Sequence, residues 1–215
     1  MKKGVLTIAV IGALMTALCL TACGGGTQVS SSASSDAASS GATSESTAGE
    51  SAVDGAAYGY AGDDPIEAAV YKYMAENVSA YFDKADANIP TVTIVKVDDT
   101  NADEVLVYGD YWIDNYNANG DTLECVSGGH FPGVMHVVKD GDGYTVKAFG
   151  MIEDGTDFDS SAKELFGENY DAFIKVYSDS DTSDELRKAA VVNYIKLNDL
   201  DFTQYQALGQ EPVKL

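Results

Sequence analysis

The hydrophobic period of this 215-residue chain changes twice beyond residue 60, and those changes restrict its architecture more than any motif does. Asp64-Pro65-Ile66-Glu67 places an Asp at a helix cap, Pro at the first helical position and Glu three residues after the cap. Ile66, Ala69, Val70, Tyr73, Asn77, Val78 and Tyr81 then recur at helical spacing, predicting one long amphipathic helix to about residue 82. Asn88 and Pro90 punctuate its end, and β-branched and aromatic residues follow at strand spacing. Residues 91–97, 104–116, 121–127, 134–139 and 144–151 read as five strands, with hairpin signals at Asn119-Gly120 and at Asp140-Gly141-Asp142-Gly143. Helical period returns after Asp157, including a stripe of Leu186, Ala189, Ala190, Asn193, Tyr194 and Leu197 behind Thr182-Ser183-Asp184-Glu185. One helix ahead of an antiparallel meander buries its stripe against one face of the sheet. The expected fold class is therefore α+β: a long N-terminal helix on a five-stranded antiparallel meander over residues 63–152, with a helical appendage over 153–215.

The N-terminus has a different composition. Lys2 and Lys3 precede an apolar run over residues 4–20, closed by Leu20-Thr21-Ala22-Cys23. A basic head, an apolar middle and small residues make a secretory signal. An uncut membrane span is the competing reading. The run is near the lower length limit for one, contains Gly4 and Gly12, and meets Gly24-Gly25-Gly26. Leu20-Thr21-Ala22-Cys23 resembles the lipobox of bacterial lipoproteins. The resemblance implies a signal peptide over 1–22, a diacylglyceryl anchor on Cys23, and residence on the outer face of the cytoplasmic membrane of a Gram-positive bacterium.

Residues 24–57 are mostly Gly, Ser, Ala and Thr, with Val29 and Val53 as their only bulky apolar residues. Such a stretch buries too little surface to offset its ordering entropy, so 23–57 reads as a tether. Its mean reach is on the order of 30 Å and its extended reach roughly 110 Å. With Cys19 in the signal and Cys23 lipidated, Cys125 is the one thiol of the 58–215 domain. No disulfide is then available inside the domain, and a hydrophobic core must hold it. The same residues carry 30 Asp and Glu against 11 Lys and Arg, a balance of −19. Such a surface is repelled by nucleic acid and by anionic lipid head groups.

The order of elements, a helix and then antiparallel strands, resembles the cystatin-like group of folds, which includes nuclear transport factor two and ketosteroid isomerase. That resemblance covers about residues 63–152 and implies a curved sheet with a pocket under the helix. The stretches Tyr108-Gly109-Asp110-Tyr111-Trp112 and Ser127-Gly128-Gly129-His130-Phe131-Pro132-Gly133 are similar to those of small lipoproteins from gut-dwelling Firmicutes. Cystatins block cysteine proteases through a Gln-x-Val-x-Gly hairpin. The matching hairpin here reads Asn117-Ala118-Asn119-Gly120, so the inhibitory motif is absent.

The candidate chemistry centres on the second strand. Strand alternation puts Tyr108, Asp110, Trp112, Asp114 and Tyr116 on one face. A carboxylate among rings is equipped for general-base work, and His136, between Val134 and Val138, is a candidate companion. The plainer reading is cross-strand packing of aromatic residues beside a wet carboxylate face. A bulge at Gly109 is a further alternative that changes the face assignment. Noncatalytic binding demands less geometric precision than turnover, and Tyr108, Tyr111 and Trp112 with Asp110 and Asp114 suit a sugar or peptide. Cys125 with His130 or His136 reads more simply as a buried core thiol than as a nucleophile and base. Two histidines and one thiol give no zinc spacing, and no cofactor motif is present. Asn115, Asn117, Asn119 and Gly120 mimic part of a calcium loop, but Val126 stands where its Glu belongs.

The expected function is a noncatalytic binding or interaction module for a cell-envelope glycan, peptide or protein, with Tyr108, Asp110, Tyr111, Trp112, Asp114 and His136 as ligand-binding candidates. The alternatives are a small pocket enzyme using Asp110 or Asp114 with His136, and an accessory subunit of an envelope complex.

Overall fold

The computed structural model describes residues 60–101 and 103–215, and among these the first regular structure begins at the capping signal. The Asp64 carboxylate accepts from the backbone N–H groups of Ile66 and Glu67, at 2.8 and 3.1 Å. Pro65 opens helix α1 (Pro65–Tyr73). The expected long N-terminal helix is corrected here: α1 begins only at residue 65 and runs for 9 residues. It continues as one π turn, Met74–Val78, and one 3-10 turn, Ser79–Tyr81. The Ser79 hydroxyl donates back to the Ala75 carbonyl within this stretch, a bond that competes with regular helical pairing.

The strands are β1 (Ala87–Asp98), β2 (Val105–Asn119), β3 (Thr122–His130), β4 (Gly133–Asp140), β5 (Gly143–Met151), β6 (Gln204–Gln206) and β7 (Val213–Lys214). They form one mixed sheet of seven, not the antiparallel sheet of five expected. The additions come from the tail: β6 pairs parallel with β3, and β7 pairs antiparallel with β6. Segments this short carry no readable period. The central strand is β2. β1 runs along one of its edges, and β3 and β4 share the other, end to end. Trp112 faces His130 at the end of β3, and Gly109 faces Gly133 at the start of β4. Between them Phe131 donates its N–H to the Tyr111 carbonyl at 2.8 Å, and Pro132 has no N–H to give.

Both expected hairpins form. Asn119 pairs with Thr122 and Asp140 with Gly143, so each turn has two central residues. Gly120 and Gly141 take the first central position with φ of 63° and 58°, which favours glycine.

Alternation along β2 divides the interior. Val105, Val107, Tyr111 and Ile113 pack with Val70, Met74 and Val78 under α1 and its π turn. The opposite face is covered by α2 (Phe158–Phe166), α3 (Tyr170–Tyr177) and α4 (Ser180–Leu197). These helices are thus a layer of the fold and not an appendage. They make two separate apolar clusters. Ala190, Val191, Tyr194 and Ile195 of α4 meet Ala87, Ile89, Tyr116, Leu123 and Cys125. Ala162, Phe166 and Phe173 meet Ile152, with Tyr108 packed alongside. Among the described residues no helix is long and apolar enough to cross a membrane.

Candidate functional site

A polar column fills the seam between those two clusters. The cross-strand pair Trp112 and His130 stacks its rings with centroids 4.0 Å apart and planes 11° apart. Tyr177, at the end of α3, stacks on the other side of His130 at 5.1 Å and 12°. The Arg187 guanidinium of α4 lies over Trp112, 4.5 Å from its centroid. The layers therefore run Arg187, Trp112, His130, Tyr177.

Two carboxylates of β2 brace this column. Asp110 Oδ1 lies 2.5 Å from His130 Nε2. Asp114 takes two bonds from Arg187, Nε to Oδ2 and Nη2 to Oδ1, both at 2.8 Å. Both Asp side chains are 5% exposed, against 20% for His130 and 22% for Arg187. Carboxylates this deep persist only when paired and hydrogen-bonded, and each has a basic partner at the wetter rim. Gly128, opposite Asp114, makes room for this arrangement: a Cβ there would sit 2.7 Å from Asp114 Oδ1 and 2.7 Å from the Ile113 carbonyl oxygen.

The electrostatics follow from this pairing. Hydrogen bonds to Asp114 raise the Arg187 pKa above its already high ordinary value. Burial, and then the Asp114 charge, pushes the Cys125 thiol up to about 11. The same two causes raise Tyr116. Burial, and then the Asp110 charge, raises Tyr177. Cys125 Sγ donates to the Ser127 carbonyl at 3.4 Å and lies 4.0 Å from Asp114 Oδ1. It is a neutral, buried thiol, and His130 is bonded to Asp110 instead of to it.

The structure brings together three of the expected residues, Asp110, Trp112 and Asp114. Tyr108 shares their face but packs edge-on against Phe166 at 5.8 Å. Tyr111 is on the opposite face, fully buried, with its hydroxyl donating to the Val107 carbonyl at 2.8 Å. Its ring lies back over Gly109, where a Cβ would approach it to 2.4 Å. Gly109 is thus a close approach; the bulge nearby belongs to β1, between Ile94 and Lys96. His136 is paired with Leu106 midway along β4, and its Nδ1 meets Glu104 Oε1 at 3.2 Å. Its place at the column is taken by His130.

His130, Tyr177 and Arg187 complete the column without having been marked by strand alternation on β2. Carried straight from the hairpin, the β2–β3 register would set His130 opposite Tyr111, on the α1 side. A register shift between Asn115 and Tyr116, with Val126 the extra residue, turns it to Trp112 instead. The calcium-like asparagines have other partners: Asn115 donates to Ser127, Asn117 accepts from the Asp86 N–H, and Asn119 donates to Glu124. No cluster of three or more His, Cys, Asp or Glu suited to a metal occurs among the described residues.

Two concavities lie near this framework. One, of about 630 Å³, opens between α4 and the β6–β7 tail and is lined by Tyr116, Arg187, Lys188, Tyr205 and Leu208. The other, of about 560 Å³, lies past the end of the α1 path and includes Tyr81, Asn117 and Ser127. Compared with protein-family models, curated proteins and solved structures, the chain shows no significant match to any of them.

Proposed function

We propose that this protein is a lipid-anchored extracytoplasmic lipoprotein whose folded domain is a noncatalytic binding or interaction module. In this reading the diacylglyceryl group on Cys23 holds it to the outer face of the cytoplasmic membrane of a Gram-positive bacterium, with 23–57 as the tether. Those residues lie outside the described ones, and the address rests on the lipobox resemblance. The cystatin-like likeness belongs to the same proposal: the order of α1 and the first five strands supports it, and the parallel β6 departs from it.

The observation that carries the noncatalytic reading is the closure of the column. Asp110 is bonded to His130 and Asp114 to Arg187. Trp112 is stacked on His130 and lies under the Arg187 guanidinium, and His130 is stacked on Tyr177 as well, with Trp112 Nε1 a buried donor left without a partner among the described residues. The expected stacking of a ligand on Trp112 therefore gives way to a framework role, and ligand contact passes to the concavities beside it. Their volumes fall in the range of small-molecule sites.

The test sets binding against turnover. The purified full chain is applied to glycan and peptide arrays and to panels of ester, glycoside and peptide substrates. Binding without turnover is expected. Turnover that His130→Ala and Asp110→Asn both abolish would overturn the reading in favour of the enzyme alternative.

A further inference from the structure

We infer that the concavity past the end of α1 is a subsite for an uncharged pyranose sugar, with Tyr81 as its stacking platform. This rests on the binding-module reading and gives that reading a ligand class.

The local chain is built to present Tyr81. The π turn Met74–Val78 and the 3-10 turn Ser79–Tyr81 carry the backbone to an extended Phe82. π turns inside helices recur at functional sites. Val78 and Ser79 are buried, whereas Tyr81 is 62% exposed, the most exposed large apolar side chain described. Phe131 braces it: its ring centroid is 6.1 Å from Tyr81 and 6.2 Å from Phe82. Phe131 is seated in turn over Gly129, where a Cβ would stand 2.8 Å from its ring and 3.1 Å from Phe82. The Ser-Gly-Gly-His-Phe-Pro-Gly motif thus serves both faces of the sheet. Gly128 and His130 build the column, and Gly129 and Phe131 support the Tyr81 platform.

The hydrogen-bond inventory beside the ring is directional. Asn115 is fully buried and donates its Nδ2 to Ser127 Oγ at 3.0 Å. With its oxygen accepting, the Ser127 hydroxyl has its hydrogen left to give. Asn117 Oδ1 accepts from the Asp86 N–H at 3.2 Å, which leaves its Nδ2 as a donor. Neither donor has an acceptor among the described residues. Asn115 itself stands behind Ser127 and outside the lining, its buried Oδ1 without a partner among the described residues. Asp83 adds a carboxylate acceptor and Lys84 an ammonium donor to the same wall. An exposed ring beside alternating donors and acceptors matches a pyranose, which offers an apolar C–H face ringed by hydroxyl groups. The −19 balance of the domain selects an uncharged sugar over an acidic one.

The experiment titrates the full chain, in detergent, with maltotriose, cellotriose and tri-N-acetylchitotriose by isothermal calorimetry. At least one should bind. Tyr81→Ala should weaken that binding at least tenfold, Tyr81→Phe should retain it, and Ser127→Ala should weaken it a few-fold. Unchanged thermal melting of the Tyr81 variants excludes misfolding, as expected for a side chain this exposed. Binding that Tyr81→Ala leaves intact, or no binding of any of the three, overturns the inference. A peptide or sugar captured elsewhere, and sensitive to Lys188→Ala, overturns it while leaving the binding-module reading standing. Silence on every array overturns both.

Discussion

Arg187→Met tests whether the column fastens α4 to the sheet. The substitution keeps an unbranched apolar stem but removes the guanidinium that lies over Trp112 and its two charge-assisted bonds to Asp114, both 2.8 Å long. It leaves a carboxylate 5% exposed without its cation. Breaking a buried pair from one side costs about 3–5 kcal/mol, chiefly through the stranded charge. The Arg187 side chain is 22% exposed, so water reaches its end of the pair, and the lower figure of about 3 kcal/mol applies here. For a domain of this size that is a fall in Tm of roughly 6–12 °C. The double variant gives a sharper outcome. If the loss comes from stranding Asp114, Asp114→Asn in the Arg187→Met background should restore part of it.

Urea denaturation of wild type, both single variants and the double variant supplies the full cycle. A coupling energy of about 2 kcal/mol or more is expected, since the groups share both bonds. The slope with urea should stay constant, because the same surface is exposed on unfolding. A coupling under about 0.5 kcal/mol would refute the reasoning, since exposed pairs give that much without any structural role.

The two histidines should separate cleanly. His130→Ala removes a ring stacked on both sides and strands Asp110, so a loss of at least about 2 kcal/mol is expected, whereas His136→Ala touches a half-exposed pair and should stay within about 0.5 kcal/mol. Equal losses in chemical denaturation would contradict the placement of His130. Gly128→Ala should cost about 1–3 kcal/mol, because one of its two close neighbours is the Ile113 backbone and the other is held by Arg187; a neutral result would mean that the approach to Asp114 is looser than described. Cys125 should resist alkylation: with its pKa pushed up to about 11, its thiolate fraction at pH 8 is on the order of 100-fold below that of an ordinary thiol. The folded state holds this proton more tightly than the unfolded chain does. The thiol's contribution to stability is therefore present below the ordinary thiol range and is lost as pH rises toward about 11. Peptide mapping that shows Cys125 labelled as fast in the native protein as in urea would contradict its burial.

Local signals are legible where one residue type answers one backbone demand. Asp64 caps α1, and Gly120 and Gly141 turn the two hairpins, because each meets a need that few other residues meet. Alternation on β2 likewise brings Asp110, Trp112 and Asp114 to one face. The stripe of α4 differs from its sequence pattern by a small rotation. Leu186 and Leu197 are 39% and 42% exposed, and the buried line runs through Ala190, Val191, Tyr194 and Ile195. Arg187 stands at i, i+3, i+4, i+7 and i+8 spacing with that line, so its charge hides the α4 partner of Asp114 inside the buried stripe. The one-residue bulge at Val126 has no sequence mark, yet it decides which face His130 serves.

The position of the column explains why charges occur there at all. Tyr108 and Tyr116 lie on the same face of β2 as Asp110, Trp112 and Asp114, and each end joins a different apolar cluster. Helices α2 and α3 close one cluster and α4 closes the other, so the seam between them is where sheet residues meet the end of α3 at Tyr177 and the first turns of α4 at Arg187. Its rim stays partly wet, with His130 and Arg187 about one-fifth exposed, while its floor at Asp110 and Asp114 is dry. A bidentate carboxylate–guanidinium pair accepts one geometry, because its two bonds must form together. The column therefore pins α4 to the sheet alongside the packing of Ala190, Val191, Tyr194 and Ile195, and both shape the cleft that Arg187 and Lys188 line.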